Sequence, residues 1–290
     1  MNNKGLTMSM IFESFGANYG EGIQNINTLK KVSRGDGNMY SYISRQALRY
    51  NMVQQSEWDN TPVSDAQKVV QFATEASIKD YPEIDLFGYM KTKSDEGAVT
   101  RSAVARVGHA VALEPFNGDL DFQTNIALAK RSNLRNDIAQ SEIQRSFYAY
   151  TVTIDLDLVG EEKDPSGNIV VPISNEEKAK RVITLLRTIQ YLYRDVKGRR
   201  ENLSPLFAVG GVYDRKTPFF DGRLIIRKGN LKTEIIKSII DGDKAIGSNT
   251  VVGYTDGIFV NNDEIKSSLS SVSVPEFFNS IISAVQGYYQ

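Results

Sequence analysis

Cysteine is missing from the 290-residue chain and histidine occurs once. The first absence excludes thiol catalysis, zinc knuckles and iron–sulfur ligation, and leaves the redox compartment undecided. The second excludes a His-rich metal site and a paired-histidine mechanism within one chain. No apolar run approaches the roughly 18 to 20 residues of a membrane span, so no membrane partner is expected. Met1 to Glu13 carries one lysine and an apolar stretch broken by Thr7 and Ser9. It is too short for a secretory signal and shows no small-residue cleavage site. Walker and GxGxxG loops are also missing. The glycines of Gly16-Ala-Asn-Tyr-Gly20-Glu-Gly22 therefore read as turn formers, and the Gly210-Gly211 pair as a bulge or turn. No internal repeat and no low-complexity tract occurs.

A charge excess is lacking too: 34 Lys+Arg stand against 35 Asp+Glu. That balance hides a segregation along the chain. Residues 24 to 50 hold five cations (Lys30, Lys31, Arg34, Arg45, Arg49) against Asp36, a local balance of +4. Arg101 and Arg106 lie in an acid-free stretch from 98 to 113, and Lys130, Arg131 and Arg135 follow. Residues 55 to 96 instead carry nine acids and four lysines, a balance of −5. These segments read either as solvated faces or as binding surfaces of opposite sign.

The hydrophobic pattern predicts strands at Leu6–Phe15, Phe147–Leu158, Leu206–Tyr213 and Leu224–Arg227. It predicts helices opening at Ser44, over Ser64–Lys79, after Ser174, over Ile235–Ile240 and around Glu276–Val285. Pro165-Ser166-Gly167 and Pro172 separate the best strand from the best helix. Ser174 with Glu177 matches a capping box. This order suits an α+β class, a ferredoxin-like sheet interrupted by insertions. One decorated domain over 1–290 is expected, with the sheet drawn from about 1–54, 84–90 and 146–230. Inserted lobes would span 55–83 and 91–145, with C-terminal elements over 231–290.

The densest local chemistry lies at the helix start. Ser44 as N-cap leaves a first turn with open N–H groups, and Arg45 and Arg49 share a face at i, i+4. With Lys30, Lys31 and Arg34 upstream, this reads either as a phosphate grip or as a surface helix with two solubilising arginines. Arg34-Gly35-Asp36 spells an adhesion tripeptide, a match short enough to arise by chance. His109 reads as a hydrogen bonder or contact residue. Tyr40, Tyr42, Phe116 and Phe122 read as core or as base-stacking platforms. Asp155 and Asp157 could share a metal but lack a third carboxylate nearby. Lys197, Arg199 and Arg200 follow a helix C-terminus, where cations are favoured in any case.

Several strings resemble one family. They are residues 14–26 (Ser-Phe-Gly-Ala-Asn-Tyr-Gly-Glu-Gly-Ile-Gln-Asn-Ile), 34–38 (Arg-Gly-Asp-Gly-Asn) and 42–51 (Tyr-Ile-Ser-Arg-Gln-Ala-Leu-Arg-Tyr-Asn). Residues 85–90 (Asp-Leu-Phe-Gly-Tyr-Met) and the run 101–125, with its Gly-His-Ala-Val-Ala-Leu-Glu-Pro, join them. Together they resemble the type I-B CRISPR Cascade backbone subunit, the DevR branch of the Cas-seven group. The resemblance implies an RNA-recognition-motif palm with inserted finger and thumb lobes. It implies a non-enzymatic, cofactor-free scaffold that binds the guide crRNA backbone. Its partners would be neighbouring copies of itself, subunits of the Cas-five, Cas-six and Cas-eight types, and target DNA paired to the guide. A prokaryotic cytoplasmic location follows from the same likeness. Carried onto this chain, Ser44, Arg45, Gln46 and Arg49 would clamp phosphates, with Lys30, Lys31, Arg34, Arg101, Arg106 and His109 beside the RNA. The aromatic strand pattern of a general RNA-recognition motif is absent, so base stacking on the sheet is not implied. The alternative is an RNA-cleaving backbone subunit of the type III kind, for which Asp36 is the candidate aspartate.

Overall fold

Alternation sets the centre of the molecule. In strand β1 (Gly5–Phe15), Leu6, Met8, Met10 and Phe12 are buried on one face, and Thr7, Ser9 and Ile11 on the other. A strand hidden on both faces lies inside a sheet. The computed structural model describes residues 4–290 apart from 17, 21, 23–24, 67–68, 94–96 and 164–168. Parts of the 14–26 string, and Pro165, Ser166 and Gly167, lie outside the described residues.

The large sheet adds β2 (Lys31–Ser33), β3 (Met39–Ile43), β4 (Ala105–Val107), β5 (Ala110–Ala112) and β6 (Arg145–Asp155). It is completed by β7 (Phe207–Tyr213), β8 (Thr250–Tyr254) and β9 (Val272–Ser273). Its order is β9-β8-β7-β1-β6-β5-β3-β2, with β4 also on β6; all pairs are antiparallel except β8 with β9. The Ser9 and Thr151 hydroxyls, paired across β1 and β6, meet at 2.7 Å. These two buried polar groups therefore satisfy each other.

Helices α1 (Arg45–Gln55), α2 (Pro82–Phe87) and α3 (Asn175–Gln190) precede α4 (Thr233–Gly242), α5 (Asn262–Leu269) and α6 (Val274–Tyr289). Leu48 and Met52 of α1, Val182 and Leu186 of α3, and Phe277 and Ile281 of α6 bury against the Met8–Tyr148 face. A second core around Phe207, Phe220, Ile236 and Phe259 covers part of the opposite face. The chain is thus a mixed α+β protein with helices on both sides of one large sheet. Among the described residues, no helix is long and apolar enough to cross a membrane.

Several expectations are corrected. Residues 64–79 form a hairpin (Val63–Ala66 with Val69–Phe72) and turns, not a helix. The β-branched pair Val69-Val70 favours the extended state, and both side chains face solvent rather than a core. The best strand stops at Asp155, where Leu156–Leu158 tightens into a 3₁₀ turn. Gly210 and Gly211 continue β7 without a bulge. A side chain at Gly210 would strike the Thr7 carbonyl, so close approach explains it. Within 91–145, expected as an inserted lobe, β4 and β5 join the large sheet. A separate hairpin, Asp119–Thr124 with Ile138–Ile143, pairs instead with Ile26–Asn27. Ser174 does cap α3, through the Glu177 N–H at 3.2 Å, but the Glu177 carboxylate turns to Arg181. The reciprocal capping box sits at Ser273 and Glu276.

One buried ion cluster ties the inserted region to the sheet. Asp85, on α2, is fully buried. Its Oδ1 accepts from Arg101 at 2.6 Å, its Oδ2 from Arg181 of α3 at 2.8 Å, and the Gly160 N–H donates to it at 3.0 Å. Arg101 also donates to the carbonyls of Asp85, Leu158 and Glu161, and Arg181 to those of Ile78 and Lys79. Removing one member of such a cluster leaves buried charge uncompensated. Asp85→Ala is therefore expected to lower unfolding stability by about 3–5 kcal/mol in urea, and Asp85→Asn by less because one acceptor oxygen survives. An unchanged denaturation midpoint for Asp85→Ala would show that the arginines do not rely on it.

Candidate nucleic-acid interface

The helix start at Ser44 is built by three separate segments. Ser44 has extended backbone, and its Oγ accepts from the Ala47 N–H at 3.3 Å, as an N-cap should. Its own N–H donates to Asn18 Oδ1 at 2.8 Å, so the glycine-rich loop braces the cap. The Arg45 N–H donates to His109 Nδ1 at 3.0 Å. That bond assigns the hydrogen of the neutral imidazole to Nε2. The ring edge also rests on Tyr42, at 5.3 Å between centroids. The single histidine thus finishes a helix terminus.

These contacts change the expectation of an open first turn. The amides of Ser44, Arg45 and Ala47 are occupied, and among the described residues only that of Gln46 keeps no acceptor. Cationic side chains supply the rest of the site. Arg45, Gln46, Arg49 and Arg106 share a cleft of about 460 Å³ with Phe87, Ala103, Ala105 and Val107. Arg45 is exposed and its guanidinium has no partner among the described residues. Arg106 is half exposed and spends one nitrogen on Asp155 at 2.9 Å. Arg49 leans on Phe87, 5.0 Å from the ring centroid, and reaches Glu83 at 3.6 Å. Burial pushes the pKa of Arg49 down and that of Glu83 up, and their mutual attraction opposes both shifts. A guanidinium remains charged throughout.

The other expected residues divide. Arg101 belongs to the Asp85 cluster, where internal acceptors occupy its guanidinium, so it leaves the candidate set. Lys31 bridges to Glu142 at 2.7 Å and stacks on Phe116 at 4.3 Å, fastening β2 to the 119–143 hairpin. Arg34 donates to the Ala112 carbonyl at 3.1 Å and covers the Tyr40 ring at 4.0 Å. Lys30 is half-buried with no side-chain partner among the described residues. Asp36 is exposed in the β2–β3 turn and accepts from the Tyr40 hydroxyl and the Asn38 N–H. These two donors hold its carboxyl below the usual range. Asp155 and Asp157 pair with Arg106 and with Lys216, the latter 2.6 Å from Asp157. Among the described residues no group of three His, Asp or Glu could hold a metal. Of the proposed stacking residues, Phe122 is exposed, Tyr40 is buried and Phe116 carries Lys31. Asn18 and Lys216 escaped sequence reasoning, because nothing in their local pattern announces a distant cap or ion pair.

A large sheet flanked by helices, with a cationic cleft at a capped helix start, defines the structural class. Two solved structures titled as CRISPR RNA-guided surveillance complexes share this fold. One, described as pre-nicking, superposes with a TM-score of 0.64 at 10% identity, covering 97% of this chain and 100% of that one. The other gives 0.59 at 14% identity, covering 97% and 99%. Among curated protein sequences, none matches. The family model "CRISPR-associated negative auto-regulator DevR/Csa2" matches residues 6–224, and the chain belongs to that family, as its sequence strings suggested.

The cap itself is measurable. Ser44→Ala is expected to cost about 1 kcal/mol of stability in urea unfolding, with a similar loss for His109→Ala at the neighbouring amide. A change within a few tenths for both would show that the helix start does not depend on them.

Proposed function

We propose that this chain is a non-catalytic scaffold that grips the sugar–phosphate backbone of a guide crRNA and lines up with further copies along it. The observation that carries this reading is the convergence of Arg45, Arg49 and Arg106 on one cleft beside a helix N-terminus. Phosphate contacts of that kind position a strand without reading its sequence. Base identity is then left to pairing between guide and target DNA. Membership of the DevR/Csa2 family and the fold shared with surveillance-complex chains support the same conclusion.

The strand order β7-β1-β6-β5, with α1 and α3 in the crossovers, supports a ferredoxin-like palm. The hairpins over 63–101 and the 119–143 hairpin serve as its finger and thumb lobes. The 119–143 hairpin exposes Leu120, Phe122, Leu128 and Leu134. An exposed apolar group of this kind suits contact with a neighbour, and a head-to-tail contact extends into a filament. Cas-five, Cas-six and Cas-eight type subunits would close such an assembly in a prokaryotic cytoplasm. Asp36 acts as a turn former through Asn38 and Tyr40, which favours the scaffold over the RNA-cleaving alternative.

The purified protein is expected to carry short RNA of defined length, visible as a raised absorbance ratio. Arg45→Ala and Arg106→Ala should each weaken guide binding equally across spacer sequences and lower the salt slope by about 0.7. A strong dependence on spacer sequence would overturn the phosphate-grip reading. With complementary RNA and Mg²⁺, no specific cleavage is expected; cuts that vanish in Asp36→Ala would establish the alternative.

A further inference from the structure

The hairpin Tyr193–Val196 with Arg199–Asn202 stands outside the cleft just described, yet its tip is cationic and wedged between two other segments. Lys197 and Gly198 make the two-residue turn, both at positive φ (47° and 77°). Asn or Gly adopts that conformation with least strain, whereas lysine does so at a cost. The turn delivers the Lys197 ammonium 3.9 Å above the Tyr19 ring and 2.5 Å from Ser141 Oγ, at the root of the 119–143 hairpin. Tyr19 belongs to the glycine-rich loop and directly follows Asn18, the residue that braces the Ser44 cap. One dipeptide therefore links this tip to the Arg45 cleft.

The charges at the tip do not balance. Glu201 accepts from Arg199 Nε at 2.7 Å, but its other oxygen is taken by Ser14 Oγ at 3.0 Å and the Phe15 N–H at 3.3 Å. Arg199 Nη2 is buried and meets no carboxylate or carbonyl acceptor among the described residues; the Tyr19 hydroxyl is the neutral group that faces the guanidinium. Lys197 forms no ion pair with a carboxylate among the described residues, although Asp121 attracts it from farther off. Arg200, next along, is matched by Asp195 at 2.8 Å and adds nothing unpaired. Burial pushes the Lys197 pKa down, the neighbouring Arg199 adds to that, and Asp121 opposes it. A guanidinium nitrogen with no anionic acceptor, beside an ammonium held by a hydroxyl and only a distant carboxylate, suits an anion.

We infer that Lys197 and Arg199, with Tyr19 beneath them, form a second phosphodiester subsite for the guide strand, separate from the Arg45–Arg106 cleft. The inference rests on the proposed guide-binding function and extends the guide path from α1, past Asn18 and Tyr19, to the root of the 119–143 hairpin. The ligand chemistry is a singly charged backbone phosphate of single-stranded RNA. It is bound by a charge-assisted fork from Arg199 and the ammonium of Lys197.

The test titrates the full-length protein, freed of RNA, against a labelled single-stranded oligoribonucleotide over a range of salt. Lys197→Gln is expected to raise Kd about 5- to 10-fold at ~0.1 M salt and to lower the salt slope by about 0.7, with Lys197→Arg restoring both. Unchanged binding by Lys197→Gln, while Arg45→Gln binds more weakly, overturns this subsite and leaves the scaffold reading standing. Full binding by both variants overturns the scaffold reading along with it. Unchanged RNA binding, with weaker capture of complementary single-stranded DNA by the guide-loaded protein, gives the site to the target strand and so overturns the assignment. A second measurement needs no variant: guide RNA should protect Lys197 from chemical acetylation in the wild-type protein. Equal acetylation with and without RNA would sink the proposal.

Discussion

Asp85 sits between two guanidiniums with no access to water, and the geometry of the candidate interface follows from that placement. Its partners lie on the 89–101 hairpin and on α3, so one carboxylate fixes the inserted region against the helical layer of the sheet. From α2 the constraint passes to the cleft by two routes. Phe87 and Glu83 hold Arg49 in place. The Leu86 carbonyl accepts from the Val104 N–H, whose own carbonyl accepts from Asp155, and this sets the strand that presents Arg106. Gly88 allows the turn between them: its φ is 73°, and a side chain there would collide with the Arg101 carbonyl. The string at 85–90 that drew attention in the sequence is thus structural. It positions the arginines of the candidate cleft and lends Phe87 to the lining.

A buried Arg–Asp–Arg cluster is costly to desolvate, and apolar replacements of similar shape often stabilise as well. What the charged version supplies is direction. Guanidiniums that reach five backbone carbonyls at fixed angles tolerate one arrangement of the segments, where an apolar patch would tolerate several. A candidate interface made of three arginines needs that definition, since a shift of about 1 Å loosens a charge-assisted hydrogen bond.

Where a local pattern carried the information, the sequence was readable. The alternation in β1 and β6, the Ser44 cap and the period of α3 each follow from neighbours within a few residues. The failures have a common cause in contacts from far along the chain. The 64–79 segment has helical spacing, but Phe72 and Ile78 find their burial against Ile84 and Val171 in a small separate core, and the pairing of Val63–Ala66 with Val69–Phe72 wins. Gly210-Gly211 looks like a turn, yet Gly210 is constrained by the β1 backbone some two hundred residues earlier and Gly211 by the Asn249 carbonyl. Arg101 and Arg106 are alike in composition and neighbourhood. One meets a buried carboxylate and the other an open cleft, and nothing local distinguishes them.

The same sorting explains how a chain of 34 cations and 35 acids can leave a cationic cleft. Arg101, Arg181, Lys31 and Lys178 are matched by carboxylates within the protein, which removes them from the outward field. Among the described residues Arg45 is left without a match, and Arg106 keeps donors to spare. The helix terminus makes the same point in neutral groups. Asn18, His109 and Ser44 have already taken three of its first amides, so the dipole end offers one N–H, that of Gln46. A phosphate approaching α1 therefore meets side-chain charge first and backbone second. Contacts of that kind do not distinguish one base sequence from another, and each depends on its guanidinium.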